Sequence, residues 1–545
     1  MKKYLDEILV FALGASVYFS ALVVNDAWDN RSKLYGFGLL LVLYFLLRFI
    51  LNTKCTKSII CFLIIAAGLY EVGLGLLQLY GFESSNHGLF RLTGTFFNPG
   101  PYAGFLSLVA PVSLWFLFKT NNEVKNKNSS NILKFFNVLT IIKIICGITF
   151  VIILLVLPAT MSRAAWLAAI AGCLIVIYKH YESKLHLAEF YQSYKKKLYT
   201  ILCCTIIVIV IALAGIYFLK KDSADGRLLT WKISLKTVVK HPLGVGLGNF
   251  SGAYGDEQAA YFASGKASET EEYVAGNPEY GFNEYLQILV ESGVVAFILF
   301  IVIAFRAVKA LSKHNAGLAG SLMALLVFAA FSYPFSLWEF LIMLVVLLAM
   351  KHTDNTDNRR FQLFKKSALI SLISVIGVLI IYRLYPVYQA NKSYKKISIY
   401  YHSGLFKEVI EVYNPLYRHL NDNTQFLFEY GRSLSMSERY EESNAVLQRA
   451  TKISCDPMFY NIMGNNYKAL KDIDKAEASY LKAAYIVPNR LYPWYLLMKL
   501  YSETGQTEKA LKTAKTVLTK EPKVHSKAIE EMRTEAEKLK VQNES

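Results

Sequence analysis

The feature that most constrains this chain is a succession of long apolar runs, each near the roughly 20 residues that a helix needs to cross a hydrocarbon core. They lie near 7–24, 34–51, 58–80, 99–118, 138–158, 164–180, 199–219, 284–305, 316–333, 337–350 and 367–387. The pattern predicts an all-α, polytopic membrane protein of about eleven spans. Composition agrees, with 54% hydrophobic and 18% charged residues over 545 positions and a mean hydropathy of +0.32. Lys2 and Lys3 open the chain like a signal peptide, but no small-residue cleavage site follows Val24, so the first run reads as a retained span.

The net charge of +18 does not point to nucleic acid, because the basic residues sit mainly in short loops between the runs. With the amino terminus inside, the inner loops hold Lys54 and Lys57, then Lys119, Lys125, Lys127 and Lys134, then Lys179, Lys184 and Lys195 to Lys197. Arg306, Lys309 and Lys313 follow, then Arg359, Arg360, Lys365 and Lys366. The outer loops carry only Arg31, Lys33, Arg91 and Arg163. This alternation places the polar segment 220–282 and everything after the last span on the outer face. Cys55, Cys61, Cys146, Cys173, Cys203 and Cys204 lie in or beside apolar runs and Cys455 stands alone, so none suggests a disulfide framework or a metal site.

Beyond about 387 the sequence becomes amphipathic and periodic. Val409, Ser443, Ala476 and Ala510 occupy equivalent positions, separated by 34, 33 and 34 residues. Pro457, Pro488 and Pro522 recur as closing residues, and Gly431 and Gly464 mark one matching turn. This resembles tetratricopeptide repeats, helical hairpins with a period of about 34 residues. The expected division is a membrane domain over 1–387 and a repeat domain over 388–545. Such a stack either binds a protein partner or caps the membrane domain, and removing 390–545 is expected to retain any chemistry of the membrane domain while altering what that chemistry acts on.

Four clusters on the outer side carry polar chemistry. In RLTGTFFNPGPYAGF, Arg91 is either a cation at the membrane face or part of an ordinary turn leading into a helix at Pro101. In SRAAW, Arg163 either snorkels to lipid phosphate or grips a diphosphate with its planar fork. From Arg227 to Phe250, Leu228, Trp231, Leu235 and Val239 recur at helical spacing, and His241 and Pro242 end that helix. Gly244, Gly246 and Gly248 then form either a tight turn or a row of N–H groups facing an anion. His241 either caps the helix or accepts a proton. In the fourth cluster Asn283, Gln287 and Glu291 share one helical stripe, while Glu284 either favours the helix dipole or activates a hydroxyl. Glu71, an acid within a span, is a further candidate.

In this order the clusters resemble the O-antigen ligase and polymerase superfamily of bacterial envelope glycosyltransferases, over about 1–350. The resemblance rests on R-x-T-G-T-F-x-N-P at Arg91–Pro99, S-R-A-A-W at Ser162–Trp166, R-x3-W-x9-H-P-L-G-V-G-x-G at Arg227–Gly248, and N-E-Y-L-Q at Asn283–Gln287. It implies a multi-pass protein of the bacterial inner membrane with a large periplasmic loop. It also implies metal-independent, cofactor-free, inverting transfer of a glycan from an undecaprenyl-diphosphate carrier to a lipid, glycan or protein acceptor. Arg163 and Arg227 then match the arginines that bind the donor diphosphate, with Arg91 beside them. His241, Glu284 and Asn283 are the candidate catalytic residues, supported by Trp231, Gly244, Gly246, Gln287 and Glu71. Ligases of the family carry a histidine just before the asparagine of the fourth motif. Here Phe282 stands in that place and has no proton to exchange, so His241, Glu284 or another acid would have to act as base. A polysaccharide polymerase and a protein O-oligosaccharyltransferase remain open, as does a non-enzymatic transporter or assembly scaffold.

Overall fold

A computed structural model describes residues 4–24, 31–50, 54–118, 132–182, 221–350 and 359–544, and among them the chain is all helical, with no strand. The membrane part begins with α1 (Leu5–Phe19), which runs into a π-helical turn (Ser20–Val24). Then come α2 (Arg31–Ile50), α3 (Lys54–Tyr80), α4 (Pro99–Phe118), α5 (Ile132–Ala159) and α6 (Arg163–Glu182). The predicted span 199–219 lies outside the described residues, as do Lys119, Lys125, Lys127, Lys184, Lys195 to Lys197, Cys203 and Cys204.

The polar segment forms three helices, α7 (Lys221–Lys240), α8 (Phe250–Ala263) and α9 (Glu269–Val274). The membrane part closes with α10 (Glu284–His314), α11 (Ala316–Phe331), a 3-10 turn at Pro334–Ser336, α12 (Trp338–Ala349) and α13 (Arg359–His402). Among the described residues, seven helices are long and apolar enough to cross a membrane, and α11 and α12 are apolar but shorter.

Small residues let the central helices approach closely. A Cβ on Gly172 of α6 would lie 2.6 Å from the carbonyl oxygen of Gly320 in α11, and one on Gly320 would lie 2.5 Å from that of Gly172. In lipid, where helix association draws little from the hydrophobic effect, this contact supplies the van der Waals attraction.

α10 is broken at Gly293 (φ 81°, ψ 176°). An interrupted helix in a bilayer must find other partners for its backbone groups. The loop after α7 provides them: Val245 N–H donates to Val290 O (2.8 Å), Gly246 N–H to Glu291 O (2.9 Å), and Pro242 O accepts from Val294 N–H (3.0 Å). Gly244 N–H donates to His241 O (2.9 Å). The amides of Gly244 and Gly246 are therefore engaged by carbonyls, which favours the tight-turn reading of that glycine row. A Cβ on Gly293 would sit 2.5 Å from the carbonyl carbon of Leu243. Gly293→Ala is expected to cost ~1–3 kcal/mol for the left-handed backbone alone, measurable as a lowered unfolding temperature. Wild-type stability would count against this pairing.

Charged helix ends sort into two faces. On one, Arg48 pairs with Asp6 (2.9 Å) and Glu7 (3.0 Å), and Arg306 pairs with Asp6 (2.7 Å), tying together the ends of α1, α2 and α10. On the other lie Ser32, Arg163 and the three helices of the polar segment.

The tail continues as α14 (Phe406–Leu420), α15 (Thr424–Met436), α16 (Tyr440–Thr451), α17 (Pro457–Ala469), α18 (Ile473–Ile486), α19 (Leu491–Glu503), α20 (Thr507–Thr519) and α21 (Lys527–Glu544). Val409, Ser443, Ala476 and Ala510, picked out by the period, are all buried. Gly431 and Gly464 make room for Leu447 and Tyr480 of the following helices. The membrane helix α13 itself supplies the first repeat helix, so the expected boundary at 387/388 falls within one continuous helix.

The tail is docked. Cys455, Ile486 and Val487 share a core with Phe250, Tyr254, Leu229 and Ile233 of the polar segment. Asn489 Nδ2 donates to the carbonyls of Glu272 (3.0 Å), Tyr273 (2.8 Å) and Ala275 (3.0 Å). Asp422 accepts from Ser32 at the start of α2.

Candidate active site

The site is built where α6, α7, α10 and α11 end on the same face. A three-residue turn, with Met161 at φ 53°, reverses the chain between α5 and α6 and leaves Arg163 as the first residue of α6. Trp166 Nε1 donates to Leu157 O (2.9 Å) and pins that corner. Arg227 reaches across from the second turn of α7, and its Nη1 donates to Phe331 O (2.8 Å), at the carbonyl end of α11. A helix carboxyl terminus carries partial negative charge, so it holds a guanidinium without neutralising it. Burial, then repulsion from the Arg163 guanidinium, holds the Arg227 pKa below its ordinary value. The two arginines of the donor-binding expectation are thus brought together. Among the described residues the groups around Arg227 are a carbonyl, the ring of Phe282, a second cation and the phenol of Tyr333.

The ring is Phe282, 5.2 Å from the Arg227 guanidinium carbon to its centroid. Phe282 adopts φ 48°, which an aromatic residue rarely takes without support. That support is local. Trp231 Nε1 donates to Gly281 O (3.2 Å), and Gln287 Oε1 accepts from Gly281 N–H (3.2 Å). Asn283 Oδ1 caps α10 by accepting from Tyr285 N–H (3.0 Å) and Leu286 N–H (3.1 Å). Asn283, proposed as catalytic, thus spends its oxygen on the helix start.

Tyr333 backs the platform, edge-on to Phe282 (5.6 Å) and stacked on Tyr280 (5.1 Å). Sequence reasoning missed Tyr333, the Phe331 carbonyl and the role of Phe282 as a platform, since these groups meet only in three dimensions. Exposed cation–π contacts are worth ~0.5–1 kcal/mol and desolvated ones ~2. Phe282→Leu is therefore expected to raise the donor KM by a few- to about thirtyfold with the protein folded. An unchanged KM would count against the platform.

Glu284 is buried and accepts from Phe335 N–H (2.6 Å). Gln287 Nε2 donates to Glu291 Oε1 (3.3 Å), and the N–H groups of Gly248 and Phe250 also face the Glu291 carboxylate. The amide of the last glycine of the row is therefore taken by a carboxyl group of the chain itself.

The other expected residues are set apart. His241 is exposed and lies 14 positions from Arg227, about 20 Å along a helix that rises ~1.5 Å per residue. Arg91 is exposed on the loop after α3. Glu71 accepts from Thr95 N–H (3.1 Å) and, with Gln78, clasps that loop. Leu228, Leu235 and Val239, which recur at helical spacing, are exposed; Leu229, Ile233 and Thr237 form the packed face of α7. Among the described residues no three His, Cys, Asp or Glu side chains are grouped to hold a metal ion.

Fold and site define a class: an all-α, multi-pass membrane protein with a cationic, aromatic-backed site at one face and a docked helical-repeat tail. Residues 148–301 match the O-Antigen ligase family, a stretch that includes Arg163, Arg227 and the turn at Phe282, and residues 459–490 match a tetratricopeptide repeat, covering α17 and α18. The chain is thus similar to O-antigen ligases over that stretch and to a tetratricopeptide repeat in its tail, which supports a role in glycan transfer. No curated protein matches it.

Proposed function

We propose that this protein is a metal-independent, inverting glycosyltransferase of the bacterial inner membrane, moving a glycan from an undecaprenyl-diphosphate carrier to an acceptor hydroxyl on the periplasmic side. The observation that carries the reading is the pair Arg163–Arg227, two guanidiniums near enough to repel, with Arg227 held by a carbonyl and a ring. A diphosphate relieves that repulsion, and its charge grows as the glycosyl bond breaks, so the pair binds the leaving group most tightly in the transition state.

The acceptor oxygen bonds to the anomeric carbon on the face opposite the departing oxygen. The C–O bond to phosphate breaks, and its electron pair leaves on the diphosphate. The hydroxyl proton passes to Glu284, the buried carboxylate two residues beyond Phe282.

Deleting the gene and profiling glycans tests the reading. Undecaprenyl-linked glycan that accumulates without reaching an acceptor is the expected result. An unchanged lipid-linked pool with all envelope glycans intact would overturn it. Long unligated chains would specify a ligase, single repeat units a polymerase, and bare proteins an oligosaccharyltransferase.

A further inference from the structure

Residues 81–98 join α3 to α4, two helices long and apolar enough to cross a membrane, so both ends of this loop stand at the bilayer boundary. Its large apolar side chains are uncovered: Phe82 is 78% exposed, Leu89 86%, Phe97 69% and Phe90 44%. Exposed hydrocarbon gathered in this way marks a contact surface. Along α3, Phe62, Leu63, Tyr70, Leu77 and Tyr80 are exposed too, which makes that flank of the spanning helix the one turned to lipid. Gly81, at φ 82°, closes α3, and Phe82 N–H donates to Leu77 O (2.8 Å). This Schellman closure brings Phe82 back to the turn of Leu77, so the loop's apolar surface continues the lipid-facing flank.

The loop also satisfies its own backbone. Gln78 Oε1 accepts from Thr93 N–H (3.0 Å) and Gly94 N–H (2.8 Å), and its Nε2 donates to Gly94 O (3.0 Å). Glu71 accepts from Thr95 N–H (3.1 Å), and Asn86 Nδ2 donates to Thr95 O (3.0 Å). At the tip Leu89 N–H donates to His87 Nδ1 (3.0 Å) and Phe90 N–H to His87 O (3.3 Å), while the His87 ring packs on Phe90 (4.7 Å) and Phe97 (4.9 Å). Irregular backbone approaches hydrocarbon only when its polar groups are paired within the protein. Water would satisfy those groups by itself, so the two buried polar side chains of α3 favour lipid as the neighbour. Phe96 meets Phe340 of α12 (6.1 Å), just beyond the turn that carries Tyr333, which puts the loop on the face of the arginine pair.

We infer that 81–98 is a membrane-inserting loop whose partner is phospholipid. Phe82, Leu89, Phe90 and Phe97 enter the boundary between head groups and acyl chains, where aromatic rings are favoured, to a depth of ~5–10 Å. Arg91, exposed beside Phe90, meets lipid phosphate, and Glu83, also exposed, faces the zwitterionic head groups. The loop does this whether or not the protein transfers a glycan.

The full chain carrying Leu89→Trp, in phosphatidylcholine nanodiscs that hold one copy each, tests this. The chain has six tryptophans of its own, so the signal is the emission of the variant minus that of the wild type. Phosphatidylcholine brominated on its acyl chains is expected to quench the added tryptophan about twofold or more, and iodide in the water to leave it nearly unchanged. Met436→Trp, at an exposed site in the repeats, is expected to show the reverse. If Leu89→Trp does not elute as a single folded species, Phe82→Trp reports from the other end of the loop. Quenching by iodide with none by brominated lipid would overturn the inference and leave the loop to water or a protein partner. Protection from iodide only in discs holding two copies would assign it to a second copy of the chain, and overturn it equally.

Discussion

Replacing Arg227 with alanine is expected to lower transfer by about 10²–10³-fold, the size of effect seen when a preorganised charge-stabilising donor is removed, while the protein still reaches the membrane. Among the described residues Arg227 bonds Phe331 O and stacks on Phe282, so its loss there unpairs no carboxylate. Arg163→Ala is expected to be similarly damaging. The pair acts on one leaving group, so the double variant should lose little more than either single one. Arg227→Lys should recover only part of the activity, because an ammonium keeps the charge but loses the planar fork. Kinetics on membranes with a fixed amount of lipid-linked donor would measure all four proteins. Near-normal rates in both alanine variants would remove the diphosphate assignment.

Deleting the repeats is expected to abolish transfer even to a simple acceptor. The sequence by itself suggests the opposite, a detachable tail that influences only acceptor choice. The structure argues against that independence: Cys455, Ile486 and Val487 complete a core that includes Leu229 and Ile233, the packed face of the helix bearing Arg227. Without the tail that core opens to water, and α7 loses the surface that fixes its position. A milder variant isolates the contact. Asn489→Ala takes a donor from the carbonyls of Glu272, Tyr273 and Ala275, the last of which keeps Lys523 Nζ (3.1 Å), and one unsatisfied buried polar group costs ~1–3 kcal/mol. Faster proteolysis within 221–282, with the membrane bundle intact, is the expected readout. A truncated protein that folds and transfers at the normal rate would return the tail to a recruitment role.

What the sequence determined by itself was whatever depends on neighbours along the chain. Apolar runs of membrane length defined the spans, and the repeat period found Val409, Ser443, Ala476 and Ala510, all of them buried. Arg163 and Arg227 stood out as cations at a membrane boundary, where charge is costly without a use. What the tertiary structure alone decided was which of these groups meet. His241 follows the end of the helix that bears Arg227 and stands about 20 Å from it, whereas Arg163 and Arg227, 64 positions apart in the chain, lie near enough to repel. The amides of Gly244 and Gly246 looked free for an anion until His241 O took the first and Glu291 O, beside the break at Gly293, took the second. Phe282 looked like a lost base until it was found beneath a guanidinium. The physical reason is common to all of these. Burial and helix formation follow from local pattern, but a hydrogen bond or a cation–π contact needs two groups within a few ångströms, and distant segments reach that distance only through packing.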